Sequence, residues 1–300
     1  MAKTILVVGK DGQVGFELTR SLSVLGKVVA VGRAACDMSD DAQVRKIVQH
    51  VQPDVIVNAS AYTAVDKAEQ ETELAMAINA RAVGTLAELA KASGALLVHY
   101  STDYVYAGDK DGAYVESDAT GPRSAYGRTK LAGEDLVRAR SDKHFIFRTS
   151  WVYGAYGANF LKTMLRVMQE RDALRVVADQ HGAPTSSALI ADVTAHAVAA
   201  YLKGPDFDLR NFGTYHLAAG GRTTWHGYAQ LIGQTAQSFG APLKVDPAAI
   251  AAIATEDYPL PAPRPSNSRM DTSKLKAAFG LELPHWEDDV RRVVRQLTAR

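Results

Sequence analysis

A single cysteine, Cys36, in 300 residues excludes an internal disulfide and fits a reducing compartment, with the cytoplasm as the expected location. Neither sign of charge is in excess, with 34 Lys and Arg against 33 Asp and Glu. The basic residues are scattered rather than striped, so the electrostatic footprint of a nucleic-acid binder is missing and any anionic ligand must be met locally. Long hydrophobic runs are also lacking. In "MAKTILVVGKDGQVG" the apolar stretch lasts about five residues, too short for a signal-peptide core or a membrane span. Neither a targeting segment nor a membrane partner is expected. His99 and His181 read as structural or solvated, because no metal-ligand cluster surrounds them. What is present is a chain 47% hydrophobic and 22% charged, suited to a folded α/β protein with one large core or a core plus a lobe.

The first half alternates short β-branched runs with helical patterns. "TILVV" (4–8), "VVAV" (28–31), "DVIVN" (54–58), "LLVHYS" (96–101) and "FIFRTS" (145–150) are strand candidates. Between them, Val14–Leu25, Ala42–Val51 and Glu71–Ala92 repeat apolar residues at three and four. Unbroken apolar strands separated by helices predict a doubly wound parallel sheet covered on both faces, a Rossmann α/β fold. Ligands of such sheets sit beyond the carboxyl ends of the strands. After about residue 150 the rhythm loosens, with helices expected at Asn159–Glu170, Leu189–Leu202, Thr224–Phe239 and Trp286–Leu297. The expected organisation is a dinucleotide-binding domain over 1–150 and a smaller, mainly substrate-binding lobe over 151–300, interleaved with the first.

Directly after the first strand comes "GKDGQVG", which spaces Gly9, Gly12 and Gly15 as G-x-x-G-x-x-G and opens a helix at about Val14. Glycines there permit a tight turn and let backbone N–H groups of the loop, Gln13 and Val14 included, approach a pyrophosphate at the positive helix end. The second strand ends "VGRAACDM". Where an NAD site usually has an acidic residue for the ribose 2′-OH, this chain has Gly32 and Arg33. A guanidinium can pair with a 2′-phosphate, so NADPH is favoured, with NADH possible.

In "SAYGRTKLAGE" (124–134) Tyr126 precedes Lys130 by four residues, which on a helix places them one turn apart, about 5–6 Å between Cβ atoms. The glycine spacing together with Tyr-x-x-x-Lys resembles the extended short-chain dehydrogenase/reductase superfamily, whose catalytic pair lies at this distance from the glycines. The resemblance implies that Thr102, at the end of the fourth strand, holds the substrate carbonyl, and that Asp37 and Met38 frame the adenine. In the reductive direction Tyr126 would protonate the alkoxide, and Lys130 would grip the nicotinamide ribose. Positive charge from Lys130 and the oxidised nicotinamide is expected to lower the phenol from its ordinary value of about 10. Thr102 is followed by Asp103 and Tyr104 rather than the Asp-Glu of related dehydratases, which argues against elimination of water.

Seven segments in order, "GKDGQVG", "NASAYTAVDKAE", "STDYVYAG", "YGRTKLAGE", "FRTSWVYG", "GAPTSS" and "RPSNSRM", are similar to the dTDP-4-dehydrorhamnose reductase family. That likeness implies reduction of the C4 ketone of a dTDP-4-keto deoxysugar as the last step of dTDP-rhamnose synthesis. It also implies that Ala61, Tyr62 and Thr63 line the cofactor site, that Thr102, Asp103, Tyr104 and Trp151 face the sugar, and that Arg264 and Asn267 approach the nucleotide diphosphate. For Asp66 and Glu69 a cofactor-side role and an exposed helix start stand about even. Alternatives are a reductase of another 4-keto nucleotide deoxysugar and a non-catalytic regulatory binding protein of the same fold. Some members dimerise through Mg²⁺ held by carboxylates. Here only Glu17 matches, with Ala188 and Gln296 at the other positions, so a monomer or a dimer without bridging metal is expected.

Overall fold

The computed structural model describes residues 2–204 and 207–298. Each apolar run of the first half is a strand: β1 (Thr4–Val8), β2 (Lys27–Val31), β3 (Val55–Asn58), β4 (Leu96–Thr102) and β5 (His144–Thr149). Around them lie α1 (Gln13–Ser21), α2 (Asp41–Val51), α3 (Val65–Ala68), α4 (Thr72–Met76), α5 (Ala82–Ser93) and α6 (Ala125–Arg140). The second half continues with β6 (Val152–Tyr153), α7 (Phe160–Glu170), β7 (Arg175–Val177), β8 (His181–Gly182), β9 (Thr185–Ser186) and α8 (Ser187–Leu202). It ends with β10 (Gly213–His216), β11 (Thr223–Thr224), α9 (Trp225–Ser238), β12 (Ala251–Ile253), α10 (Ser273–Phe279) and α11 (Trp286–Thr298).

The central sheet has the order β10-β5-β4-β3-β1-β2 and every pairing is parallel. Because side chains alternate along a strand, the sheet feeds two cores. Ile5, Val7, Val57, Val98 and Phe147 pack with Leu18 of α1 and Ile190 of α8 on one face. Leu6, Val8, Ile56, Leu97 and Ile146 pack with Val48 of α2, Leu86 of α5 and Val137 of α6 on the other. Each such side chain contributes about 1.5–3 kcal/mol by leaving water.

The second half is shared between two places. β10 pairs with β5 at the sheet edge and α8 lies against α1, so both complete the first layer. A separate core, with Leu161 and Met168 of α7, Ile232 of α9 and Val294 of α11, forms the smaller lobe. The predicted helix over Glu71–Ala92 is divided by a π-helical turn, Ala77–Arg81. Its buried Asn79 accepts from the Tyr62 amide at 2.8 Å and donates to Thr129 Oγ1 at 3.1 Å, tying the loop after β3 to α6. Wide turns of this kind concentrate at functional sites. Among the described residues no helix is long and apolar enough to cross a membrane.

Candidate active site

The chain leaves β1 through Gly9, whose φ of 92° favours glycine. A Cβ there would stand 2.7 Å from the Ser60 amide nitrogen, and one on Gly15 would collide with the Gly9 carbonyl. Gly12 donates to that carbonyl at 3.0 Å, and no side chain caps α1. The first amides of this nine-residue helix, those of Val14 and Gly15 among them, thus stand without a side-chain cap at a cradle whose backbone packs too closely for a side chain on Gly9 or Gly15. The cradle fits a dinucleotide pyrophosphate. The Gln13 side chain turns elsewhere, accepting from Asn159 Nδ2 of the smaller lobe at 2.9 Å.

Beyond β2, the Arg33 side chain is 76% exposed, with its Nε 3.4 Å from Asp37. Ser39, through its amide and hydroxyl, holds the Asp37 carboxyl below the usual range, with Arg33 adding to the effect. Met38 is buried among Val31, Cys36, Val44 and Val48, within the sheet's helical layer. In the loop after β3, Ala61, Tyr62 and Thr63 lie beside the cradle wall at Ser60, and the Tyr62 hydroxyl donates to Glu71 at 2.7 Å.

Ser124 accepts from the Gly127 amide and caps α6. That helix presents Tyr126 and Lys130 toward the end of β4. Thr102 Oγ1 donates to Asp103 Oδ1 at 2.9 Å and accepts from the Tyr104 amide at 3.2 Å; Ser268 donates to the other Asp103 oxygen. Tyr104 stands edge-on to Tyr126, with ring centroids 5.5 Å apart. Burial pushes the Asp103 carboxyl up to about 6 against the pull of those hydrogen bonds.

The Tyr126 phenol departs from expectation in direction. Burial first, then the Asp103 charge, hold it above its ordinary value, and the Thr102 hydroxyl offsets only part. The expected help from Lys130 fails for a geometric reason. Its ammonium points at the Tyr100 carbonyl, 2.6 Å away, and at His99 Nε2, 3.4 Å away. Burial lowers Lys130 itself to about 8, with Glu134 opposing. At neutral pH Tyr126 therefore carries its proton, the state a proton donor requires.

Next to these groups opens a cavity of about 630 Å³, lined by Tyr104, Trp151, Trp225, Arg264 and Ser268 among others. Trp151 follows β5 with φ 49°, in the left-handed region, and stacks on Trp225 at 3.7 Å. Strain of this kind costs about 1–3 kcal/mol and persists where neighbours over-determine the residue. Arg264 reaches the cavity wall while pairing with Asp66 at 2.7 Å. Asn267 does not match its expected diphosphate contact. Its Nδ2 donates to the Lys110 and Gly112 carbonyls, both at 2.7 Å, and its Oδ1 accepts from the Arg269 amide and Nε. Those bonds consume the amide, so Asn267 fastens the loop that carries Ser268.

Asp66 and Glu69 also hold neighbouring segments, Asp66 through Arg264 and Glu69 by accepting from the Ala125 amide at 2.7 Å. His181 is exposed in β8, whereas His99 lies fully buried beside Lys130. Sequence reasoning missed Asn79, Ser268 and Trp225, of which only Ser268 sits in a motif it had singled out. In a cleft between α1, α8 and α11, Arg20 spans Glu17 at 3.5 Å and Asp192 at 3.1 Å. Among the described residues no group of three or more His, Cys, Asp or Glu is arranged to hold a metal ion.

Comparison with known proteins adds three findings. A family model described as RmlD substrate binding domain matches residues 3–299. The dTDP-4-dehydrorhamnose reductase of Salmonella typhimurium is 48% identical over 297 residues, covering 98% of this chain and 97% of that protein. The crystal structure of dTDP-4-dehydrorhamnose reductase from Bacillus anthracis in complex with NADP superposes with a TM-score of 0.88 at 34% identity, covering 99% of this chain and all of that one (100%).

Proposed function

The chain belongs to the RmlD substrate binding domain family, and from that premise we infer that it reduces the C4 ketone of dTDP-4-dehydro-L-rhamnose to dTDP-L-rhamnose with NADPH. The observation that carries the inference is the junction of the glycine cradle, the Thr102–Tyr126 pair and the aromatic cavity at the carboxyl ends of one parallel sheet. NADPH, when bound, supplies the hydride. Gly9, Gly12, Gly15 and the start of α1 would hold its pyrophosphate, and Arg33 is the cation suited to its 2′-phosphate.

The protein's own part is proton delivery and positioning. Tyr126 keeps a proton at neutral pH and gives it to the oxygen at C4 as negative charge develops there. Thr102, whose hydroxyl otherwise donates to Asp103, would turn that hydrogen to the same oxygen and orient the ketone. Trp151 and Tyr104 wall the sugar, and Arg264, kept in place by Asp66, supplies positive charge for the diphosphate. The product's use in surface polysaccharide synthesis and a cytoplasmic location are consistent with this chemistry.

The test is turnover: purified protein with dTDP-4-dehydro-L-rhamnose should consume NADPH and yield dTDP-L-rhamnose. Saturable binding of both ligands without oxidation of NADPH would favour a regulatory binding protein. Turnover restricted to another 4-keto sugar nucleotide would move the substrate.

A further inference from the structure

Behind Lys130 lies a buried polar chain that the proton transfer from Tyr126 does not use. Asn58, His99 and Lys130 are 1%, 0% and 2% exposed. Asn58 Nδ2 is 3.2 Å from His99 Nδ1, and His99 Nε2 is 3.4 Å from Lys130 Nζ. The direction of this chain is set at its far end. Asn58 Oδ1 accepts the Ser60 backbone N–H at 3.1 Å, so the amide's NH₂ side must face the histidine. His99 Nδ1 is then an acceptor, and a neutral ring carries its proton on Nε2.

That proton points at Lys130 Nζ. An ammonium there would oppose donor to donor, whereas an amine offers a lone pair. One carboxylate, Glu134, favours the ammonium through its charge, but its bonds go elsewhere. Glu134, one turn along α6, is taken by Arg148 through bonds of 2.6 and 2.9 Å and by Arg138 at 2.9 Å. Asp103 is engaged by Thr102 and Ser268. The Tyr100 carbonyl on β4 takes one Nζ hydrogen at 2.6 Å, which an amine and an ammonium can each supply, and the Tyr126 phenol on α6 is kept protonated by burial.

We propose that Asn58 and His99 are positioning residues that set the protonation of Lys130: Asn58 locks the histidine tautomer, and His99 Nε2–H favours the neutral amine. Burial shifts both His99 and Lys130 in the direction this arrangement needs. Resting on the assignment of Tyr126 as proton donor, the consequence is an acidic Lys130 ammonium.

The test is NMR of the whole protein. In the wild type, nitrogen-15 spectra should show His99 protonated at Nε2 and bare at Nδ1 across neutral pH. The Lys130 side chain, assigned by its loss in Lys130→Arg, should titrate near 8. Asn58→Asp replaces the NH₂ group with an acceptor, so the tautomer should invert, Nε2 should accept from the ammonium, and the Lys130 midpoint should rise by about one unit or more. A wild-type ring protonated at Nδ1 overturns the proposal, as does an inverted tautomer with an unchanged Lys130 midpoint. If Asn58→Asp fails to fold, the wild-type tautomer still decides. Both readouts are independent of turnover, so an inactive protein would contradict the reductase function without touching this result.

Discussion

Arg264 Nη2 donates to Asp66 Oδ2 at 2.7 Å and joins segments 198 residues apart, so a carboxylate at the start of α3 fixes an arginine on the wall of the cavity. Asp66 also accepts from the Ala262 amide at 3.1 Å. Asp66→Asn should loosen Arg264 without touching Tyr126. For a partly exposed pair worth about 0.2–1 kcal/mol, KM for the sugar nucleotide should rise roughly 1.5- to 5-fold with kcat little changed. An equal fall in kcat would place Asp66 in the chemical step.

Tyr126→Phe should lower kcat by about 10²–10⁴, the usual range for a positioned acid. Binding of NADPH, followed by nicotinamide fluorescence, should stay near the wild-type level. A variant with near-normal kcat would end the assignment of Tyr126 as proton donor.

The buried Asp103 makes a pH-dependent contribution to stability. Its folded value of about 6 lies above the ordinary 3.8, so the native state binds the proton more tightly than the unfolded chain. The contribution is fully present below about pH 4, is lost as pH rises through 6, and amounts to roughly 3 kcal/mol across that window. Urea unfolding at several pH values should show this slope in the wild type and its absence in Asp103→Asn. Equal slopes would mean that Asp103 ionises in the fold as it does in water.

Arg33→Asp should reverse the cofactor preference by removing the cation and supplying an acceptor for a ribose hydroxyl. The present partner of Arg33, Asp37, sits 3.4 Å away and leaves the guanidinium largely exposed. The ratio of kcat/KM for NADPH and NADH is the measurement. If that ratio does not move, Arg33 faces solvent in the complex as well.

Assembly should not depend on a divalent cation. Glu17 and Asp192 both face Arg20, which already supplies positive charge between them, and Mg²⁺ would have to displace it. Light scattering should give the same mass with EDTA and with Mg²⁺, and activity should survive chelation. A dimer that dissociates with EDTA and re-forms with Mg²⁺ would show that other residues complete a metal site.

Much of the fold was legible because its signals are local. "TILVV" becomes β1 without a residue's error, since β-branched apolar side chains favour strands and a glycine loop must follow. Tyr126 and Lys130 share a helix face because four residues make about one turn. β10 was not legible: "GTYH" has no apolar run, and it is a strand only because β5 offers it an unpaired edge. The break at Asn79 was equally hidden, since the π turn answers to Tyr62 and Thr129, distant in the chain. Asn267 could not be told from a ligand contact until its amide was seen bound to the carbonyls of Lys110 and Gly112. The sequence by itself determined the layers, the glycine turn after β1 and the shared helix of Tyr126 and Lys130, because each follows from periodicity or from fixed spacing along one element. Only the tertiary structure decided that Lys130 faces His99 rather than Tyr126, and that Tyr126 holds its proton. Burial and hydrogen-bond direction arise where separate segments meet, and no single stretch of chain encodes them.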